Sequence, residues 1–263
     1  MTIAIDAGNS ELKLASVVDG RVGPVERFST GDAPDPLLIA ERIVELGFAG
    51  PPDAAVAMAS VVPALTELVR EATRVIGVRL LIADAATIPM AASVPQPARV
   101  GADRLLGAWG ARLHHGAPLI VVDLGTATTI DAVDAAGAFV GGAILPGLRL
   151  SLAALARGTA QLPEVRLAAP ARAIGTDTAE AIRSGVVLGH LGAVRELVDR
   201  FAAELASGRR PTVVATGGVT LAGWAREALL QPPGPGRPAI ADVVDPDLLL
   251  RSLDLLATHR VTA

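Results

Sequence analysis

The clearest pattern along the chain is an apolar run that stops on an acid. Leu119, Ile120, Val121 and Val122 precede Asp123, and three of the four are β-branched, which predicts a buried strand. Gly125-Thr126-Ala127-Thr128-Thr129 follows and β-branched residues then resume, so the stretch reads as strand, tight turn, strand. The same grammar opens the chain: Ile3-Ala4-Ile5 ends on Asp6, and Gly8-Asn9-Ser10 leads into Glu11-Leu12-Lys13-Leu14, a hairpin over 2–8 and 11–18. The rest of the first half predicts helix over 35–46 closed by Gly47, strand over 54–60, and helix from Pro63 to 76. Strand over 78–82, a loop over 86–99 and helix over 103–115 closed by Gly116 complete it. The second half predicts strands over 128–133 and 139–144, a turn at Pro146-Gly147, helix over 148–156 and an irregular stretch over 157–173. A long helix over 179–205, kinked at Gly189–Gly192, a strand over 211–215 and a final helix over 245–256 follow. The recurrence predicts an α/β fold of two similar half-domains, 1–116 and 117–263, each a mixed sheet flanked by helices.

The two hairpin turns carry the candidate chemistry. Glycine lets backbone N–H groups converge on one point and small hydroxyl side chains add donors, which together make a phosphate cradle with an acid at its lip. One such loop is a weak signal; two suggest a nucleotide shared between the halves. Composition sharpens the first. Of 23 basic residues only Lys13 is a lysine, and Asn9 is the only asparagine, so both survive within five residues of each other beside the first turn. Lysine offers a compact point charge suited to phosphate, where arginine offers a planar fork.

Charge and composition exclude several classes. The net charge is −4 with no basic run, which argues against nucleic acid as a partner. The absence of cysteine removes disulfides, thiolate metal sites and cysteine nucleophiles, and fits a reducing compartment. Met1-Thr2-Ile3 with Asp6 close behind does not read as a signal peptide, and the uncharged run 135–148 is interrupted by four glycines and a proline, which predicts no membrane span. The expectation is a cytoplasmic protein.

Taken in order, the motifs resemble those of the type III pantothenate kinases, within the superfamily of actin, hexokinase and heat-shock ATPases. Asp6-Ala7-Gly8-Asn9-Ser10 is similar to the family's D-x-G-N-T, and Asp123-Leu124-Gly125-Thr126-Ala127-Thr128-Thr129 to its second loop. Arg27-Phe28-Ser29-Thr30, Ser60-Val61-Val62-Pro63 and Gly101-Ala102-Asp103-Arg104 resemble further landmarks. So do Gly141 to Leu148, Gly175-Thr176-Asp177-Thr178 and Thr216-Gly217-Gly218, the last an adenosine-side turn. Each motif alone is weak; the ordered set spans nearly the whole chain. One departure matters: where the family carries Tyr-x-Asn-Pro, this chain has Val94-Pro95-Gln96-Pro97, and it contains no tyrosine.

The resemblance implies an actin/ribonuclease H-like fold with ATP in the cleft between the half-domains, and transfer of a phosphoryl group to pantothenate, the first step of coenzyme A biosynthesis. It implies ATP contacts from Asp6, Ala7, Gly8, Asn9, Ser10, Glu11, Leu12, Lys13 and Thr126, with Mg²⁺ carried on the phosphates. Asp103 would be the general base and Arg104 would anchor substrate or offset phosphoryl charge. Val94, Gly101, Ala102, Asp103, Arg104 and Thr178 would line the pantothenate site, and Asp123 would ligate potassium or ammonium. The family is dimeric, so a homodimer is expected. Asp103 reads as lying in the first turn of a helix, whose macrodipole would favour its ionised form as a base; the bland alternatives are an ordinary helix-start acid for Asp103, a surface ion pair for Arg104, and helix capping for Thr178. His114 and His115 read as a solvated helix end and His190 as a core histidine, while Leu249, Leu250, Leu253 and Leu256 read as core or a dimer face. A kinase of another small hydroxy acid or polyol, or a non-catalytic regulatory relative, would share the fold.

Overall fold

Strand β1 (Thr2–Ala7) is buried along its whole length, and the first unit is assembled on it. The computed structural model describes residues 1–32, 35–47, 55–205 and 208–261. β1 pairs antiparallel with β2 (Glu11–Val18), which also pairs with the short strands β3 (Arg21–Val22) and β4 (Glu26–Ser29). Helix α1 (Pro36–Glu45) starts on Asp35, whose carboxylate accepts from Leu38 N at 2.9 Å, and ends before Gly47 at φ 93°. β5 (Ala55–Ser60) lies parallel to β1, helix α2 (Pro63–Val75) follows, and β6 (Leu80–Ile82) lies parallel to β5. Helix α3 (Ala102–His115) closes this run. The strand expected over 54–60 is present from Ala55; Ala54 lies outside the described residues.

Alternation sorts the two faces of this sheet. Ile3 and Ile5 pack with Val56, Met58, Ile39, Ile43, Leu65 and Val69, so α1 and α2 cover one side. On the other side the register aligns Ala15, Ala4 and Ala57 in one row. A row of methyl groups leaves depth for a helix to lie close.

In the second unit β7 (Leu119–Leu124), β8 (Ala127–Val133) and β9 (Phe139–Pro146) form an antiparallel meander. Helices α4 (Leu148–Gly158) and α5 (Thr178–Glu204) follow, then β10 (Thr212–Thr216), parallel to β7. Helix α6 (Gly223–Leu230) and β11 (Val243–Val244) complete a sheet ordered β11-β10-β7-β8-β9. Ile120, Val122, Leu124, Ile130, Val213 and Ala215 meet Val194 and Val198 of α5 and Leu229 of α6 in one apolar layer. α5 runs unbroken through Gly185, Gly189 and Gly192. Gly141, at φ 124°, sits where the β8–β9 register shifts by a bulge.

The last helix, α7 (Leu248–Val261), corrects the expected boundary at 116/117. The two compact units are 1–114 with 247–263, and 115–246. α7 packs on β1, β2 and β5; of the expected leucines Leu250, Leu253 and Leu256 are buried, Leu249 is half-buried, and Leu248 is buried beside them. Its leucine stripe is therefore core of the first unit, and the terminal segment does not belong with the second half. Among the described residues no helix is long and apolar enough to cross a membrane.

α7 also meets α3 closely. A Cβ on Gly110 would lie 2.8 Å from Ser252 Cβ, with the Ser252 hydroxyl closer still. Gly110→Ala should therefore destabilise by about 1–3 kcal/mol through overpacking. Thermal unfolding should show a loss of several degrees, on the order of 2–4 °C per kcal/mol for a chain of this size. An unchanged melting temperature would mean that α3 and α7 can part at no cost.

Candidate active site

The first turn is built by hairpin register. Asp6 at the end of β1 faces Lys13 on β2, and Lys13 Nζ lies 2.9 Å from Asp6 Oδ2 with both side chains largely buried. Gly8 N donates to Glu11 O at 2.9 Å, which closes the Gly8-Asn9-Ser10 turn. A residue that sequence reading gave no role fastens it from outside. Thr30 Oγ1 donates to Gly8 O at 2.9 Å and Thr30 N donates to Ser10 O at 3.0 Å. Its signal was there, in the hydroxyl pair Ser29-Thr30 following a short alternating run. Leu12 and Ala7 are buried in the core, so only their backbone is available to a ligand, and Glu11 meets Arg27 at 3.2 Å.

Asp103 sits in the first turn of α3, half-buried. Arg104 N donates to its Oδ1 at 2.8 Å, and a Cβ on Gly101 would come within 2.6 Å of that oxygen, so a side chain at 101 would push the carboxylate out of this position. Burial is the largest influence on the carboxyl and pushes its pKa above the ordinary aspartate value; the Asp6 charge adds to this, while the Arg104 N–H and guanidinium oppose it. The helix start was expected to favour ionisation. Desolvation wins instead. Asp6, Lys13 and Asp103 thus form one electrostatic group in the first unit.

The second turn is fixed by backbone contacts. Asp123 stands half-buried at the end of β7 in register with Thr129 on β8 and Thr216 on β10. Gly125 N donates to Ala127 O and Gly147 N donates to Thr126 O, both at 3.1 Å. A Cβ on Gly147 would run into the Gly125 and Thr126 carbonyls. Gly217, at φ 94°, is pressed against Asp123 Oδ1, and a Cβ there would lie 2.7 Å from Leu124 N. Thr220 holds that turn through its hydroxyl, 2.7 Å from Gly217 O. Of the hydroxyls in this stretch, Thr126 alone is exposed. Thr128 is buried against His190 at 2.9 Å, and Thr129 Oγ1 donates to Asp131 at 3.2 Å.

Comparison with known proteins follows these landmarks. Residues 2–200 match the family model described as type III pantothenate kinase. A type III pantothenate kinase of Rubrobacter xylanophilus is 38% identical over 97% of this chain and 97% of that protein. This chain belongs to the type III pantothenate kinase family. Its fold extends to distant structures. A Baf family protein of Campylobacter jejuni aligns at a TM-score of 0.59 and 16% identity, covering 99% of this chain and 100% of that one. MreB5 of Spiroplasma citri, solved with ADP, aligns at 0.52 and 12%, covering 98% and 96%. The actin-like architecture is therefore present.

The remaining predicted positions divide by surroundings. The helix α5 cap falls to Asp177, whose Oδ1 accepts from Glu180 N at 2.8 Å, so Thr178 is the first helical residue and stands exposed. Gly175 passes directly over the Glu180–Ala181 backbone, which explains the glycine of the G-x-x-T motif. Val94 is half-buried ahead of the turn at Pro97–Arg99. Thr30, Gly147 and Thr220 fasten the turns; Thr30 and Gly147 stood within landmarks without this role, and Thr220 was not singled out from sequence. His190, expected in the core, is buried there with a hydroxyl partner.

Lys13→Ala removes a charge held 2.9 Å from a carboxylate. The variant should keep its circular dichroism and bind ATP about tenfold more weakly, equivalent to about 1.4 kcal/mol. Titration with nucleotide checks this, and wild-type affinity in a folded variant would make the lone lysine an accident of composition.

Proposed function

We propose that Asp103 takes the proton from a pantothenate hydroxyl as the γ-phosphoryl group of ATP is transferred to it, giving 4'-phosphopantothenate for coenzyme A synthesis. One observation carries this reading: a desolvated carboxylate, oriented by Arg104 N–H, beside the Asp6–Lys13 pair in a chain of this family. A base is most effective when its pKa approaches the working pH, and burial moves Asp103 in that direction. The phosphate contacts of the first unit fall to Asp6, Gly8, Asn9, Ser10 and Lys13, and those of the second to Gly125 and Thr126. Arg104 offsets charge that develops on the phosphoryl oxygens. Gly101, Ala102 and Thr178 line the pantothenate side, with an apolar contact at Val94.

Mg²⁺ neutralises phosphate charge when it arrives with the nucleotide. Among the described residues no group of three or more His, Asp or Glu is gathered to hold a metal alone, which suits an ion shared with phosphate. Asp123, a carboxylate whose Oδ1 lies against Gly125 and Gly217, fits a monovalent cation by the chemistry of its donor. The family reading also implies a cytoplasmic homodimer. The missing tyrosine keeps one rival, a kinase of another small hydroxy acid or polyol. A coupled ADP-release assay with pantothenate and candidate polyols separates the two. Replacing sodium by potassium or ammonium should raise the rate, and equal rates in all three salts would remove the cation from Asp123.

Asp103→Asn should lower kcat by about 10²–10⁴-fold with nucleotide binding little changed. Because the folded pKa is raised, ionisation of Asp103 opposes folding: the stability favoured by its protonated form is complete below the unfolded pKa and lost as pH rises through the folded one. The neutral variant should therefore melt at or above the wild-type temperature at pH 7. In the wild type, kcat/KM should rise with pH through a value above the ordinary aspartate range, and that limb should vanish in the variant. Near-normal kcat would remove Asp103 as base, and loss of nucleotide binding would assign it a structural part.

A further inference from the structure

The inward stripe of α5 reads Ile182, Ser184, Val187, His190, Val194 and Val198. Val194 and Val198 belong to the apolar layer over β7, β8 and β10. His190 lies one turn before Val194 on the same stripe, so the layer contains an imidazole. The residue it meets is equally out of place. Thr128 shares its face of β8 with Ile130, is 1% exposed, and puts Oγ1 2.9 Å from His190 Nε2. Desolvation holds the ring below the ordinary histidine pKa, which favours its neutral form.

Burying an imidazole and a hydroxyl is costly unless each satisfies the other, and two aliphatic side chains would fill the same space without that cost. What the polar pair adds is direction. A hydrogen bond accepts one geometry where apolar packing accepts several, so it fixes the register of helix against strand. Both ends of this contact lead to the site. Thr128 is two residues beyond Thr126, opposite Leu124 on β7 and Leu145 on β9. α5 begins at Thr178, three turns before His190, and Ser184 between them is anchored through its hydroxyl to Ala173 O. The Gly125-Thr126 turn is held from one side by Gly147 N–H. The His190–Thr128 contact holds the strand leaving that turn from beneath.

We propose that His190 is a positioning residue for the second phosphate turn, acting through Thr128 to fix β8 against the helix that starts at Thr178. The inference rests on the kinase reading above, and direct nucleotide binding tests it whatever the acceptor proves to be. Thr128→Val removes the hydroxyl at nearly constant shape, and His190→Leu removes the ring nitrogen; Thr128→Ser and His190→Gln each keep a polar atom. Affinity for ATP would be measured calorimetrically without pantothenate, and KM for ATP and kcat in the coupled assay. Thr128→Val and His190→Leu should each weaken ATP binding about tenfold, the double variant should be no weaker than either single, and Ser or Gln should restore most of the loss. Effects that add in the double variant, or folded single variants that bind ATP like the wild type, would overturn the proposal. A lower melting temperature with unchanged ATP affinity would also overturn it, leaving the pair a core contact only. A wild type that binds ATP but leaves pantothenate unphosphorylated would instead defeat the acceptor assignment, with the binding comparison still decisive here.

Discussion

Backbone meets backbone at distances no side chain allows, and the geometry of the second unit depends on it. Gly147 and Gly217 lie against the chain on either side of the turn after Asp123, one on the Gly125 and Thr126 carbonyls, the other on Asp123 and the Leu124 backbone. Only a residue without Cβ permits such an approach. The order β10-β7-β8-β9 creates this constraint, because it brings the strand ending before Gly217 and the strand ending before Gly147 to opposite flanks of one turn. The N–H groups around the turn are oriented by neighbours that cannot move outward without breaking a sheet.

In the first unit the ordering term is electrostatic. Asp6 is paired with Lys13 across the hairpin, and its remaining field reaches Asp103. Asp103 is held where ionisation is disfavoured, so the fold carries a penalty at the position proposed as the base. Sites of this kind are stable only because the surroundings over-determine them. Here those surroundings are the tight approach at Gly101, the Arg104 N–H, and the α3–α7 contact at Gly110.

Much of this was legible in the sequence because it is local. The two hairpins, their terminal acids, α1 with its Gly47 stop and the long α5 follow from patterns within a few residues, and they stand within one to three residues of their expected bounds. The motif set was legible through resemblance, and family membership bears it out. What failed was non-local. The leucine pattern of α7 reveals an apolar face without saying which sheet it covers, and only the alanine row 15, 4 and 57 shows the complementary surface. The Asp103 environment was misread because a helix start is visible in sequence and desolvation is not. Thr30 and the Thr128–His190 contact depend on partners 22 and 62 residues away, and a hydroxyl in sequence does not declare its acceptor.

The division of the chain has a consequence for biosynthesis. The second unit is contiguous, 115–246, whereas the first needs 247–263 to cover the face of β1, β2 and β5. During translation the segment made first therefore waits with its alanine row uncovered until the second unit and α7 after it have been synthesised. The later segment has all its strands in hand sooner. Order of completion then runs opposite to order of synthesis, and the nascent first sheet, with β6 at its edge among the described residues, is the stretch with most need of shielding from other chains.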